Sequence, residues 1–202
     1  MASTGEQLIL ASASASRARL LRAAGIEVVV EPAVLDEQVL KRAFRADRRE
    51  AGECAVALAE AKAQQISQRH PRALIIGADQ ILVCEGAWFD KPSSLSDARA
   101  QLEILRDRAH ELATAACVVR AGERIWHGIS TPRLTMRHFS SSFLDEYLAD
   151  EGAEVLSSVG VYRLEGRGIQ LFERIEGDYF AILGLPLVEL LAFLRDCAAV
   201  PC

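Results

Sequence analysis

Three stretches of this chain place polar or charged residues at or shortly after the end of an apolar run, where the end of a buried strand would present them to a ligand. Leu8-Ile9-Leu10 runs into Ala11-Ser12-Ala13-Ser14-Ala15-Ser16-Arg17, and Ala73-Leu74-Ile75-Ile76 runs into Gly77-Ala78-Asp79-Gln80. The acidic pair Asp36-Glu37 follows the strand-like Ile26 to Val30 at a short distance. A serine-rich strand-to-helix corner suits an anion, because the first N–H groups and the positive dipole end of a helix point at it, and Arg17 could add a two-pronged charge. A carboxylate at the carboxyl end of a sheet strand is well placed for a metal ion or a water. Structural readings fit the same residues. Ser14 or Ser16 can simply cap a helix while Arg17 pairs with a surface acid. Asp79 can sit in a tight turn, and Asp36 can cap the next helix.

Lysine is scarce: Lys41, Lys62 and Lys91 stand against twenty arginines. Lys62 falls mid-helix beside an apolar stripe and Lys91-Pro92 follows a turn, so either could serve as a compact point charge for a phosphate. His110, His127 and His138 lack metal-ligand spacing. No phosphate-loop, nucleophile-elbow or zinc-helix motif occurs.

The elements that must carry these residues follow from periodicity. Leu8 to Leu10 reads as a strand. Arg17 to Ala24 reads as a helix whose stripe, positions 17, 20, 21 and 24, turns Arg17 toward the sheet, with Gly25 as the stop. Ala51 to His70 is helical up to Pro71. Ala73 to Ala78 and Ile81 to Cys84 read as two strands either side of Asp79-Gln80, closed by a Glu85-Gly86 turn. Ser96 is expected to cap a helix to about Arg106. Glu111 to Arg120 and Glu123 to Ile129 form a hairpin about Ala121-Gly122, Arg133 to Phe139 a strand, and Ser140 to Asp150 a helix. Residues 152–184 read as Gly-punctuated strand, with Gly166-Arg167-Gly168 as a tight strand turn, and Leu187, Leu190, Leu191 and Leu194 mark a closing helix. The pattern implies one α/β domain with a mixed sheet.

Composition narrows the rest. The chain has 202 residues, half of them hydrophobic, with a formal charge of −5. That is ample for a core and excludes a disordered tail or a disulfide-stapled miniprotein. No global basic field exists to hold nucleic acid or an anionic membrane, so any anion must be held by local groups. Five cysteines without a C-x-x-C pair argue against disulfides or zinc, and no uncharged run is long enough to span a bilayer. A cytoplasmic protein is expected.

Taken in order, nine segments resemble the Maf family of nucleoside triphosphate pyrophosphatases across nearly the whole chain. They are Leu8-Ile9-Leu10-Ala11-Ser12-x-Ser14-x-x-Arg17, Asp36-Glu37, Ala61-Lys62-Ala63, Ile76-Gly77-Ala78-Asp79, Lys91-Pro92 and His110. Then come Gly160-x-Tyr162-x-x-Glu165-Gly166-x-Gly168, Ile175-Glu176-Gly177-Asp178 and Gly184-Leu185-Pro186-Leu187. The resemblance implies a mixed, strongly twisted sheet flanked by helices, with two lobes around a cleft, and a homodimer. It implies hydrolysis of a nucleoside triphosphate to the monophosphate and pyrophosphate with Mg²⁺ or Mn²⁺. By the same resemblance Asp79 is the proton acceptor, Asp79 and Glu37 hold the metal, Lys91 joins them in catalysis, and Ser12, Ser14, Arg17 and Lys62 hold the substrate.

Ser16, Gln80 and Glu165 fall at specificity positions. Gln80 and Glu165 are similar to the 7-methyl-GTP branch rather than the dTTP/UTP branch. Glu165 suits a guanine edge, which offers two donors. Ser16 stands where one branch has Trp and the other Arg, which removes a stacking ring from beneath the base. The alternatives are dTTP/UTP hydrolysis and a nucleotide-binding regulator of cell division with little turnover.

Overall fold

The computed structural model describes residues 6–200; Cys202, the last of the five cysteines, lies outside them. In chain order the elements are β1 (Leu8–Leu10), α1 (Ala15–Ala23), β2 (Val29–Val30), α2 (Glu37–Ala46), α3 (Ala51–Ser67), β3 (Leu74–Cys84), β4 (Ala87–Phe89) and α4 (Leu95–Leu105). There follow β5 (Ala109–Arg120), β6 (Glu123–Ser130), β7 (Arg133–Met136), α5 (Ser141–Glu151), β8 (Phe172–Glu176), α6 (Tyr179–Ile182) and α7 (Leu187–Asp196). The stretch before β8 carries two 3₁₀ helices, Gly152–Ser157 and Arg167–Leu171.

One mixed sheet runs in the order β2-β1-β3-β5-β7-β8, with β4 paired to β3 and β6 to β5. β1 lies parallel to both β2 and β3 and is wholly buried, which explains its uninterrupted aliphatic run. β3 and β5 pair antiparallel from Ile75↔Val119 to Val83↔Glu111 and form the spine of the molecule. Two hairpins turn through consecutive positive φ angles, at Glu85 and Gly86 and at Ala121 and Gly122, the geometry that matches strand twist and that Gly favours at the second position. Both turns agree with the sequence.

The spine passes between two packed regions. At one end Leu74, Ile76 and Ala78 join α1 and α7 in one core, while Ile75 packs with Ala59 and Ala63 of α3 on the other face. At the far end Leu82 and Cys84 join α4, α5 and the segment containing Tyr162 and Leu164. Between these regions Ile81 in the middle of β3 packs with Phe44 of α2 and with Cys54, Ala55 and Leu58 of α3.

Gly77 lets α3 lie directly on β3. A Cβ there would stand 2.0 Å from the Ala59 carbonyl oxygen and 3.0 Å from the Ala63 Cβ. No side chain fits.

Several sequence expectations need correction. Residues 74–84 form one continuous strand through Asp79 and Gln80, not two, because β5 supplies partners at both positions, Ala115 and Thr114. Asp79 is therefore mid-strand, and no strand end delivers it. The cap of α4 is Ser94, whose hydroxyl accepts from the Asp97 N–H, not Ser96. Of Ile26 to Val30 only Val29–Val30 is strand, and the strand after Arg133 stops at Met136. Within 152–184 only β8 is strand, and Gly166-Arg167-Gly168 opens a 3₁₀ helix rather than a strand turn. The apolar residues there, Val155, Val161, Leu164 and Leu171, are buried in a core shared by helix and strand residues but pair with no strand themselves, so their strand-like composition carried no pairing information. The four cysteines among the described residues are free thiols.

Candidate active site

Asp79 projects from the middle of β3 and is buried. Lys62 on α3 donates to its Oδ1 at 2.5 Å and lies 2.6 Å from Glu37 Oε1, so one ammonium bridges two carboxylates. The contact depends on Gly77, two residues before Asp79, since the same flush packing that excludes a Cβ lowers Lys62 onto the strand. Glu37 is the first residue of α2, with Asp36 capping the helix by accepting from the Gln38 N–H. Asp36 therefore has the helix-capping role and Glu37 faces the cleft. Burial raises the pKa of Glu37, but the nearby charges and hydrogen bond of Lys62, with Lys41 and Lys91, outweigh it and hold the carboxyl below its ordinary value.

Arg17 is buried and pinned: its Nε donates to the Gly184 carbonyl at 2.9 Å, and one Nη donates to the Ala78 carbonyl at 2.9 Å and to Ser12 Oγ at 3.1 Å. Gly184, at φ +113°, leaves room for this; a Cβ there would come within 3.2 Å of Arg17 Nε. Ser14 caps α1 by accepting from the Arg17 N–H, and Ser12 Oγ also accepts from the Ser14 N–H. Arg17 thus turns toward the sheet as its helical stripe predicts. Surface pairing does not occur. Much of its donor fork is spent on backbone carbonyls, so it holds the corner together as well as charging it.

All ten residues singled out in the sequence (Ser12, Ser14, Ser16, Arg17, Glu37, Lys62, Asp79, Gln80, Lys91 and Glu165) line a single cleft of about 440 Å³. Among the described residues Lys91 is the one lysine without a carboxylate within 4.0 Å. Burial, then the charge of Arg17, push its pKa below the ordinary ammonium value, with Lys62 adding to the effect and Glu37 and Asp79 opposing it.

Two of the residues at specificity positions are already engaged. Gln80 Nε2 donates to Thr114 Oγ1 at 2.8 Å and to the Ala181 and Ile182 carbonyls, which ties the mid-strand to α6. The Glu165 carboxylate pairs with Arg19. The sequence reading missed Lys41 and Asp90, which also line the cleft. Lysine scarcity was the available signal for the first, since every lysine of the chain lies in this cleft.

Oxygen donors are what Mg²⁺ or Mn²⁺ prefers, and Asp79 Oδ2 is buried with no hydrogen-bond partner, a state that costs about 1–3 kcal/mol unless something satisfies it. Among the described residues no group of three or more His, Cys, Asp or Glu side chains could hold a metal. Asp79 and Glu37 are the two carboxylates that share Lys62 in the cleft. Such sparse ligation fits Mg²⁺, which is commonly held by one or two carboxylates with substrate phosphates and water.

Fold and site together define an α/β protein whose cleft sets lysines and a buried arginine beside a carboxylate pair. The chain belongs to the Maf family: the family model described as Maf-like protein matches residues 7–197. It is 55% identical over 194 residues to a nucleoside triphosphate pyrophosphatase of Granulibacter bethesdensis, covering 96% of this chain and 98% of that one. It is 51% identical to a protein of the same name from Paramagnetospirillum magneticum, covering 93% and 97% of the two chains. A 7-methyl-GTP pyrophosphatase of Mesorhizobium japonicum is 44% identical, covering 96% and 98%. No described helix is long and apolar enough to cross a membrane.

Proposed function

We propose that this protein hydrolyses a nucleoside 5′-triphosphate between the α- and β-phosphates, releasing the monophosphate and pyrophosphate. The observation that carries the reading is Asp79: one oxygen held by Lys62, the other buried without a partner, in a cleft that contains all three lysines. Asp79 accepts a proton from water as the water oxygen bonds to the α-phosphorus and the bond to the β-phosphate bridging oxygen breaks. Lys62 keeps Asp79 and Glu37 fixed side by side. Lys91, free of acidic partners, and the Ser12–Arg17 corner hold the phosphates and offset the charge that accumulates on departing pyrophosphate. Asp79 and Glu37 are the residues that would hold a divalent cation, which when bound neutralises triphosphate charge and polarises the phosphorus.

The preferred base in this reading is 7-methylguanine, supported by Gln80 and Glu165 and by the name of the Mesorhizobium relative. Ser16 favours a second reading, dTTP or UTP, because no ring stands there to stack on a methylated purine. Comparison of kcat/KM for 7-methyl-GTP, dTTP, UTP and CTP, with pyrophosphate detected directly, decides between them. Asp79→Ala is expected to abolish release while circular dichroism stays native; near-full turnover in that variant would sink the mechanism. Tight triphosphate binding by the wild type with no release would instead identify a nucleotide-binding regulator.

A further inference from the structure

Lys41 is the lysine that the proposed chemistry leaves without a task, yet it is 5% exposed and lines the cleft. Its Nζ lies 2.7 Å from Asp90 Oδ1 and 3.8 Å from Glu37 Oε2. Asp90 immediately precedes Lys91. Its other oxygen is 3.7 Å from Arg45, its backbone carbonyl accepts from Gln101 of α4 at 2.8 Å, and Arg45 also donates to the Trp88 carbonyl at 3.2 Å. The segment 88–91 is thus clipped to α2 on one side and α4 on the other, and Lys41 is the buried member of the clip.

Burying an ammonium and ordering a four-carbon side chain is costly unless carboxylates compensate it. Two do so here, one on each of the elements that carry Glu37 and Lys91. Lys91 itself has no carboxylate partner to hold it, so its placement depends on the backbone that Asp90 anchors. Lys41 already sits on Asp90 within hydrogen-bond distance, which makes it a support for cleft residues rather than a ligand of the phosphates.

We infer that Lys41 is a positioning residue which, through Asp90, fixes Lys91 for triphosphate. This rests on the pyrophosphatase reading for its consequence but is tested separately from it. Calorimetric binding of inorganic tripolyphosphate, with a chelator present to remove metal, is measured for the wild type, Lys41→Met, Lys91→Ala and the double variant. Lys41→Met is expected to weaken binding about tenfold, in the range of losses for supports of a binding group. In the Lys91→Ala background the same change is expected to add less than about twofold, since the group it positions is already gone. With nucleotide as substrate, KM should rise more than kcat falls, and Lys41→Arg should recover most of the loss. Asp90→Asn, run through the same cycle, carries the test if Lys41→Met does not fold. Undiminished binding by a folded variant, or equal losses in both backgrounds, overturns the inference. If the wild type binds tripolyphosphate but releases pyrophosphate from no nucleotide, the catalytic reading falls while this cycle can still be read.

Discussion

Lys62 donates to Asp79 across 2.5 Å, joining the middle of α3 to the middle of β3 inside the cleft. The same nitrogen reaches Glu37, so removing it leaves two neighbouring carboxylates without their shared cation. Lys62→Met is expected to lower stability by about 3–5 kcal/mol in urea titrations, the usual cost of stripping one partner from a buried pair. Its kcat/KM should fall about 10²–10³-fold. Adding Asp79→Asn should recover part of the stability but none of the turnover; stability unchanged in the single variant would show that the bridge is dispensable.

Arg17 joins α1, β3 and the turn before α7 through Ala78 and Gly184. Arg17→Lys keeps the charge but gathers its donors on one nitrogen, which cannot occupy the two positions from which Nε and Nη reach Gly184 and Ala78, so the substitution is not conservative here. A loss of about 2–4 kcal/mol is expected for the buried carbonyls left unpaired, read as a lower urea midpoint at an unchanged slope. A near-wild-type midpoint would mean that the corner is held by something else.

Glu165 faces a cation already. For the carboxylate to read a guanine edge, the base must share or replace Arg19. Glu165→Gln is expected to reduce kcat/KM for 7-methyl-GTP about tenfold relative to UTP and CTP, because one charge-assisted acceptor is lost. Equal loss on all substrates would remove Glu165 from base selection. The ion pair is exposed, so Arg19→Ala should alter stability by less than about 1 kcal/mol.

His110 on β5 is buried, its Nε2 2.8 Å from the Tyr162 hydroxyl and its Nδ1 unpartnered. Burial pushes its pKa down to about 4 from 6.5. Between those values the unfolded chain binds the proton and the folded one does not, so this contribution is complete above pH 6.5 and is lost as the pH falls toward 4. About 3 kcal/mol is at stake over that window. His110→Gln should flatten the acid side of a stability-against-pH curve; an unaltered slope would show that the group is not responsible.

The sequence by itself determined the family, the α/β class and ten of the residues that line the cleft, because their types and order are local signals. Periodicity alone placed Arg17 on the inward face of its helix, and the hairpin turns at Glu85-Gly86 and Ala121-Gly122 were legible because they need particular backbone angles. Tertiary structure decided what those residues do to one another. Asp79 looked like the end of a strand, since nothing local shows that β5 continues past it; only pairing with Ala115 makes it mid-strand. Gly77 reads in the sequence as one more residue of the strand Ala73 to Ala78, yet it is the point where α3 touches the sheet. Lys41 and Asp90 are 49 residues apart, and no pattern in either neighbourhood foretells their contact. Burial is the physical reason for the difference: side chain type and spacing are properties of a segment, while the charge a group keeps and the partner it finds are set by what the rest of the chain packs around it.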